Sequence, residues 1–140
     1  MAKINLAITG CLGRMGRQLI KTAVKDRSVK IVSLTENTFL NKKISGIYLE
    51  KNSEKAFHNA HVIIDFTSPK CTFEVLKIAS KLKKKVVIGT TGFSKTEENH
   101  IKKFSKKISI LKAGNMSLGI NLLMFLTEIT SKTLGVNYLS

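Results

Sequence analysis

The sequence has few groups with which to cross-link itself, little acid and almost no proline. Its two cysteines, Cys11 and Cys71, cannot build a disulfide framework. They show no metal-ligand spacing either, so both are expected as reduced thiols in a cytoplasmic protein and no metal is expected. No apolar run reaches the ~18–20 residues that a membrane-spanning helix needs, which argues against a membrane partner. The opening MAKINLAITG runs straight into a strand pattern and does not read as a signal peptide. Acidic residues number 9 against 24 basic ones, a net charge of +15. That imbalance raises the question of nucleic acid. Yet no aromatic pattern interleaves with the lysine clusters at Lys83–Lys85, Lys102–Lys103 and Lys106–Lys107, and no helix-turn-helix or similar motif appears. A nucleic-acid partner is therefore not expected. The lysines read as solvated faces whose field would also draw an anionic cofactor or substrate. With 140 residues, 43% of them hydrophobic, the chain suits one domain with one core.

What is present is organised around Ile4–Gly16, INLAITGCLGRMG. The alternating Ile4, Leu6 and Ile8 read as a strand buried in a sheet. Gly10, Gly13 and Gly16 punctuate a turn, and RQLIKTAVK follows as a helix with Leu19, Ile20, Ala23 and Val24 on its apolar face. A strand, a glycine turn and a helix start place unpaired N–H groups and the positive end of a helix dipole where a phosphate can sit. The spacing is G-x-x-G-x-x-G, with Leu12 where the second glycine of the more usual G-x-G-x-x-G pattern would stand. The plain alternative is a ligand-free βα turn; the strand before and the helix after favour a dinucleotide. Arginine is scarce, and two of the three, Arg14 and Arg17, belong to this stretch. Arg14, read as part of the loop, is the better phosphate or ribose contact. Arg17 reads as a solvated first-turn residue.

Along the chain, Lys30–Thr35 is a second strand, closed by Glu36. A carboxylate there suits the hydroxyls of an adenosine ribose. Asn37 beside it is neutral, which leaves NADH as fitting as NADPH. Residues 37–46 read as loop, Gly46–Glu50 as a short edge strand and Ser53–Asn59 as a brief helix. Val62–Phe66 is a buried strand. Ser68 caps a helix that starts with Pro69, runs to about Leu82, and buries Phe73, Leu76, Ile78 and Ala79. Val86–Gly89 is a strand closed by Thr90, Thr91 and Gly92. Ser94 and Glu97 form a capping box for a helix to about Lys107. Ile108–Lys112 is the last strand. Ala113, Gly114, Asn115 and Met116 make a loop, and Ser117–Leu134 a long apolar helix with Gly135 as its C-cap.

Strands alternate with helices from end to end. The expected fold is therefore α/β, a doubly wound parallel sheet of the Rossmann type forming a dinucleotide-binding domain over 1–134. The loops after the strands, Gly10–Met15, Glu36, Thr67, Gly89–Thr91 and Ala113–Met116, then share one carboxyl edge, where such sheets take their ligand.

The segments GCLGRMGRQLI, IDFTSP, VVIGTTGF and AGNMSLGIN, in that order, resemble the 4-hydroxy-tetrahydrodipicolinate (dihydrodipicolinate) reductases of lysine and diaminopimelate biosynthesis. The resemblance covers essentially the whole chain but only the N-terminal half of the family. It implies NADH or NADPH on the carboxyl edge. Gly10, Cys11, Leu12, Gly13, Arg14 and Met15 would hold the pyrophosphate and Glu36 the adenosine ribose. Gly89, Thr90 and Thr91, with Ala113, Gly114, Asn115 and Met116, would lie toward the nicotinamide. The family often carries an aromatic residue at Met116 and an arginine at Asn37. Its histidine pair, lysine and proline-serine-glycine-threonine run come after the helix matching Ser117–Leu134. They are expected beyond Ser140, with 135–140 leading toward a second domain that holds the substrate pocket and much of a tetramer interface. His58, His61 and His100 match none of that segment and read as surface residues. The other readings open at this point are a different Rossmann dehydrogenase of amino-acid metabolism and a stand-alone redox-sensing module.

Overall fold

The computed structural model describes residues 2–38 and 41–134. The elements are β1 (Ile4–Thr9), α1 (Arg14–Ala23), β2 (Val29–Thr35), β3 (Lys43–Ile44), β4 (Ile47–Glu50) and α2 (Glu54–Phe57). After these come β5 (Val62–Asp65), α3 (Pro69–Lys81), β6 (Lys85–Ile88), α4 (Lys95–Ser105), β7 (Ile110–Lys112) and α5 (Leu118–Leu134). They form one sheet in the order β3-β4-β2-β1-β5-β6-β7. Every pairing is parallel except that of β3 with β4. The order reverses at β1, so the crevice at its carboxyl end is the switch point of a doubly wound sheet.

The loop expected over 37–46 proves to contain a strand. Ser45 and Gly46 adopt φ of 52° and 81°, which is the left-handed pair a two-residue hairpin turn requires. They fold β3 back on β4, so the outer edge is antiparallel. Two residues are too few to show an alternating pattern, and the sequence reading passed over them.

Two apolar layers cover the sheet. Neighbouring β1 residues face opposite ways: Ala7 joins Phe57, Ile63, Val75, Leu76 and Ile88 under α2, α3 and α4, while Ile8 joins Ile20, Leu34 and Leu49 under α1. Burying a side chain such as Phe57 or Leu34, both 0% exposed, contributes roughly 1.5–3 kcal/mol. α3 buries Leu76 and Ala79 and half-buries Phe73 and Ile78, as the periodicity indicates. It also buries Cys71, Thr72 and Val75. On α1 the apolar face is shorter than expected, because the helix ends at Ala23 and Val24 is 61% exposed.

The coverage is uneven. On the side of β5–β7 away from α3 and α4, Ile64 and Val87 are half-buried and Leu111 is 62% exposed. From Gly119 to Leu134 every residue of α5 is exposed, including Leu123, Met124 and Phe125. An open groove of about 740 Å³ runs along this helix. The C-cap expected at Gly135 lies outside the described residues.

Helix ends follow their sequence signals. Ser68 Oγ accepts from the Cys71 N–H, with Pro69 in the first turn. At α4 the Ser94 hydroxyl accepts from the Glu97 N–H while the Glu97 carboxylate accepts from the Ser94 N–H at 2.8 Å. These bonds hold the Glu97 carboxyl below the usual glutamate range. A depressed carboxyl adds stability above its unfolded pKa and loses it as the pH falls through the folded one. Ser94→Ala is expected to cost about 1 kcal/mol in urea unfolding at pH 7. The difference from the unaltered chain should shrink as the pH falls through the depressed folded value, below which the carboxylate is protonated in folded and unfolded chains alike.

Candidate functional site

The site begins where β1 ends. Gly10 takes φ +63°, a conformation glycine adopts at no steric cost, and the chain turns back so that the Gly13 N–H donates to Gly10 O at 3.0 Å. Gly13 is the N-cap of α1, and no side chain caps that helix. The N–H groups of its first turn thus remain available to an anion. Gly16 has a different task. A Cβ there would stand 2.2 Å from Gly10 O, so its lack of a side chain lets α1 lie against the loop. A Cβ on Gly13 would meet only Gly10 O, at 3.2 Å; that position is otherwise open and exposed.

Arg14 is not in the loop. It is the first residue of α1 and is exposed, as is Met15 beside it. The helix starts three residues before Arg17, where the sequence pattern placed it, because its exposed first turn carries no periodic apolar signal. Arg17 is exposed but not merely solvated: its Nε donates to Leu12 O at 2.9 Å and braces the loop.

Glu36 reaches the same loop from β2. Its Oε2 accepts from the Leu12 N–H at 3.1 Å and its Oε1 from the Asn37 N–H at 3.0 Å. Each carboxylate oxygen retains acceptor capacity. Next to it a cleft of about 350 Å³ opens between Asn37, Lys51, Asn52, Ser68, Lys70 and Glu74. Cys11, in the loop, is fully buried. Burial first, and then the Glu36 charge, push its thiol up to about 11. Burial also raises the Cys71 thiol.

The other expected residues come from β6 and β7. The Gly89 N–H donates to Asp65 O at 2.8 Å, and a Cβ on Gly89 would sit 2.0 Å from the Phe66 ring. Thr91 is exposed, whereas Thr90 is buried. The Ala113 N–H donates to Ile88 O, which ties the last loop to β6. Gly114 and Met116 are exposed and Asn115 half-buried. Asn115 uses its Oδ1 to accept from the Ser117 N–H at 2.9 Å, an Asx turn that opens α5. The three histidines are exposed; His61 accepts from the Asn5 N–H at the opposite, amino end of β1.

Sequence reasoning passed over the centre of this edge. Asp65, the last residue of β5, is 0% exposed. Its Oδ1 accepts from the hydroxyls of Thr9 and Thr67, each at 2.6 Å. Its Oδ2 accepts from the hydroxyls of Thr72 and Thr90. The signal available was a carboxylate ending an otherwise apolar strand, with threonines at the neighbouring strand ends.

Known proteins can now be set beside this arrangement. The family described as "Dihydrodipicolinate reductase, N-terminus" matches residues 4–116. The chain belongs to that family. It is 66% identical over its whole length to a 4-hydroxy-tetrahydrodipicolinate reductase of Pelagibacter ubique (strain HTCC1062), and covers 54% of that protein. A reductase of the same name from Buchnera aphidicola subsp. Acyrthosiphon pisum (strain Tuc7) is 39% identical over 95% of the chain, again with 54% of the relative covered. The chain thus spans about half the length of these relatives. Among solved structures, a dipicolinate-bound dihydrodipicolinate reductase from Paenisporosarcina sp. TG-14 superposes with a TM-score of 0.78 over 92% of the chain, covering 54% of that structure, at 21% identity. A homoserine dehydrogenase of S. aureus superposes with a TM-score of 0.66 over 81% of the chain and 33% of its own, at 17% identity. At these identities the structures speak for the fold alone. They bear out the α/β class expected from the strand-helix alternation. As the nucleotide-binding part of a reductase family, the chain is built for a pyridine nucleotide.

The Cys11 environment makes a direct prediction. With its pKa near 11, the thiolate fraction at pH 8 falls on the order of a hundredfold below that of an ordinary cysteine. Alkylation of Cys11 by iodoacetamide, followed by peptide mass spectrometry, is expected to be slower by that order in the native chain than in urea.

Proposed function

We propose that this chain is the cofactor-holding half of an NAD(P)H-dependent 4-hydroxy-tetrahydrodipicolinate reductase acting in cytoplasmic lysine and diaminopimelate biosynthesis. The observation that carries the reading is the uncapped start of α1 behind the Gly10–Gly13 turn, with the Glu36 carboxylate closing on the same loop. A dinucleotide fits this cradle. Gly13 leaves open the space a side chain would fill, and the first-turn N–H groups lack a competing cap.

In this reading the loop from Gly10 to Met15 cradles the pyrophosphate, which takes the N–H groups at the start of α1, and the exposed Arg14 guanidinium adds charge beside it. Glu36 accepts from the adenosine ribose hydroxyls with the lone pairs that Leu12 and Asn37 leave free. Toward the nicotinamide stand Gly89, Thr91 and Ala113–Met116. Thr90 contributes through its backbone, since its hydroxyl is committed to Asp65 and to the Thr67 N–H. The cofactor, when bound, supplies a hydride. This chain's residues fix where that hydride is delivered, and its surplus of positive charge draws in a dicarboxylate substrate. Both NADH and NADPH are accepted: Glu36 favours the free 2′-hydroxyl, while Lys51 and Lys70 in the adjoining cleft offset a 2′-phosphate.

In this reading the nucleotide-binding domain runs over residues 1–134, with α5 as its last element. The exposed apolar residues of α5, together with Ile64, Val87 and Leu111 on the sheet, face the half of the relatives that follows. That half supplies the substrate pocket, the acid-base groups and the tetramer contacts.

Two outcomes are expected. In a fluorescence titration, Gly13→Val should remain folded by circular dichroism but lose NADH binding by at least about tenfold, as a side chain pushes the pyrophosphate off the N–H groups. In the same titration Glu36→Ala should weaken NADH more than NADPH. Equal affinities across the three proteins would overturn the phosphate-loop reading.

The purified 140-residue chain should also bind NADH without turning it over. Reduction requires the substrate within about 3–3.5 Å of the hydride donor and a positioned acid, and none of the three histidines stands on the carboxyl edge. The check is a coupled assay that feeds the product of the preceding synthase and follows absorbance at 340 nm beside a binding titration. Turnover above the enzyme-free rate would refute it.

A further inference from the structure

We propose that Asp65 is a positioning residue for the cofactor edge: one buried carboxylate sets the glycine loop after β1 and the loops after β5 and β6 in mutual register. The proposal rests on the cofactor reading above and adds to it a residue that touches no ligand.

The geometry starts in the sheet. Asp65 pairs with Thr9 on one side and Ile88 on the other, at the last position before three chains leave the sheet as loops. Its four hydroxyl donors come from the end of β1 (Thr9), the loop after β5 (Thr67), α3 (Thr72) and the loop after β6 (Thr90). A carboxylate offers about four lone-pair sites, so Asp65 is saturated. It has no site left for substrate or for catalytic proton transfer, and its role is to hold.

The four bonds are not equivalent. Thr9 can donate instead to Ile64 O, at 3.3 Å, and Thr72 to Ser68 O, at 3.1 Å. Thr67 has Ser68 O at 3.5 Å. Thr90 Oγ1 donates to Asp65 alone among these groups, at 3.2 Å, while accepting from the Thr67 N–H at 2.9 Å. The chain of bonds Asp65–Thr90–Thr67 therefore joins the second and third loops, and depends on the carboxylate more than any other link. Thr67 in turn packs on the glycine loop: its Cγ2 lies 2.7 Å from where a Gly10 Cβ would be. Thr9, directly before Gly10, is anchored on the other oxygen.

A merely structural carboxylate and a positioning one differ in what fails with them. Asp65→Asn replaces one oxygen with an amide donor, so the two hydroxyls that donate to that oxygen must turn away. Thr72→Val removes a bond of the same kind on α3, away from the loops that leave the edge. Both are expected to lower the melting temperature by similar amounts. Asp65→Asn should raise the Kd for NADH at least tenfold and speed exchange of the Thr67 amide at least tenfold by NMR, since displacements near 1 Å are costly in such sites. Thr72→Val should keep both within twofold. Thr90→Val keeps the carboxylate but cuts its link to Thr67, and should match Asp65→Asn; it decides the matter if Asp65→Asn does not fold. Unchanged affinity in the folded Asp65→Asn or in Thr90→Val, or an equal loss in Thr72→Val, overturns the proposal. An unaltered chain that binds neither NADH nor NADPH overturns the cofactor reading itself, a result distinct from normal binding that Asp65→Asn leaves intact.

Discussion

A buried carboxyl group whose acceptor sites are met by four threonine hydroxyls is the constraint on which this domain depends. Placing a carboxylate inside a protein costs several kcal/mol unless its oxygens are satisfied. Here Asp65 is satisfied wholly by hydroxyls. Hydrogen bonds to a charged acceptor are roughly twice as strong as neutral ones, and each loses its value if its donor drifts. The sheet, α3 and two loops are thus obliged to meet at one point, at the carboxyl ends where a doubly wound fold puts its ligand. The apolar layers decide that the sheet forms; the carboxylate decides how its exit loops stand relative to one another.

Around that centre, the glycines of one short motif take different structural tasks. Gly10 supplies a left-handed turn, Gly16 lets α1 approach, and Gly13 alone leaves space facing outward. Cys11 and Leu12 between them point into the core under α1. The loop is therefore anchored by apolar side chains while its backbone is presented to solvent, and Arg17 and Glu36 brace it through Leu12.

The sheet was legible because parallel strands buried on both faces leave unbroken apolar runs, as in Val62–Ile64, and because caps such as Ser68 and Ser94 announce themselves locally. β3 was not, since two residues carry no period. The start of α1 was misplaced because Arg14 and Met15 are exposed and so lie off the amphipathic stripe. At the edge, motif spacing drew attention to Gly10, Glu36 and Gly89, residues whose chemistry can be described one at a time. Asp65 escaped because its partners lie as far as 56 positions away. Only the topology brings Thr9 and Thr90 to it. Thr90 was singled out for the cofactor side, while its hydroxyl is bound inward to Asp65.

The contact between Gly89 and Phe66 also bears on how such a chain can drift over generations. Even a methyl group on Gly89 would fall inside the Phe66 ring, so the two positions form a lock with a fixed order of opening. A lineage can exchange Phe66 for a smaller side chain while Gly89 stays, leaving a void. The reverse step, a larger residue at Gly89 first, must displace the half-buried ring. Variation at this pair is directional, and the ring must yield before the glycine does.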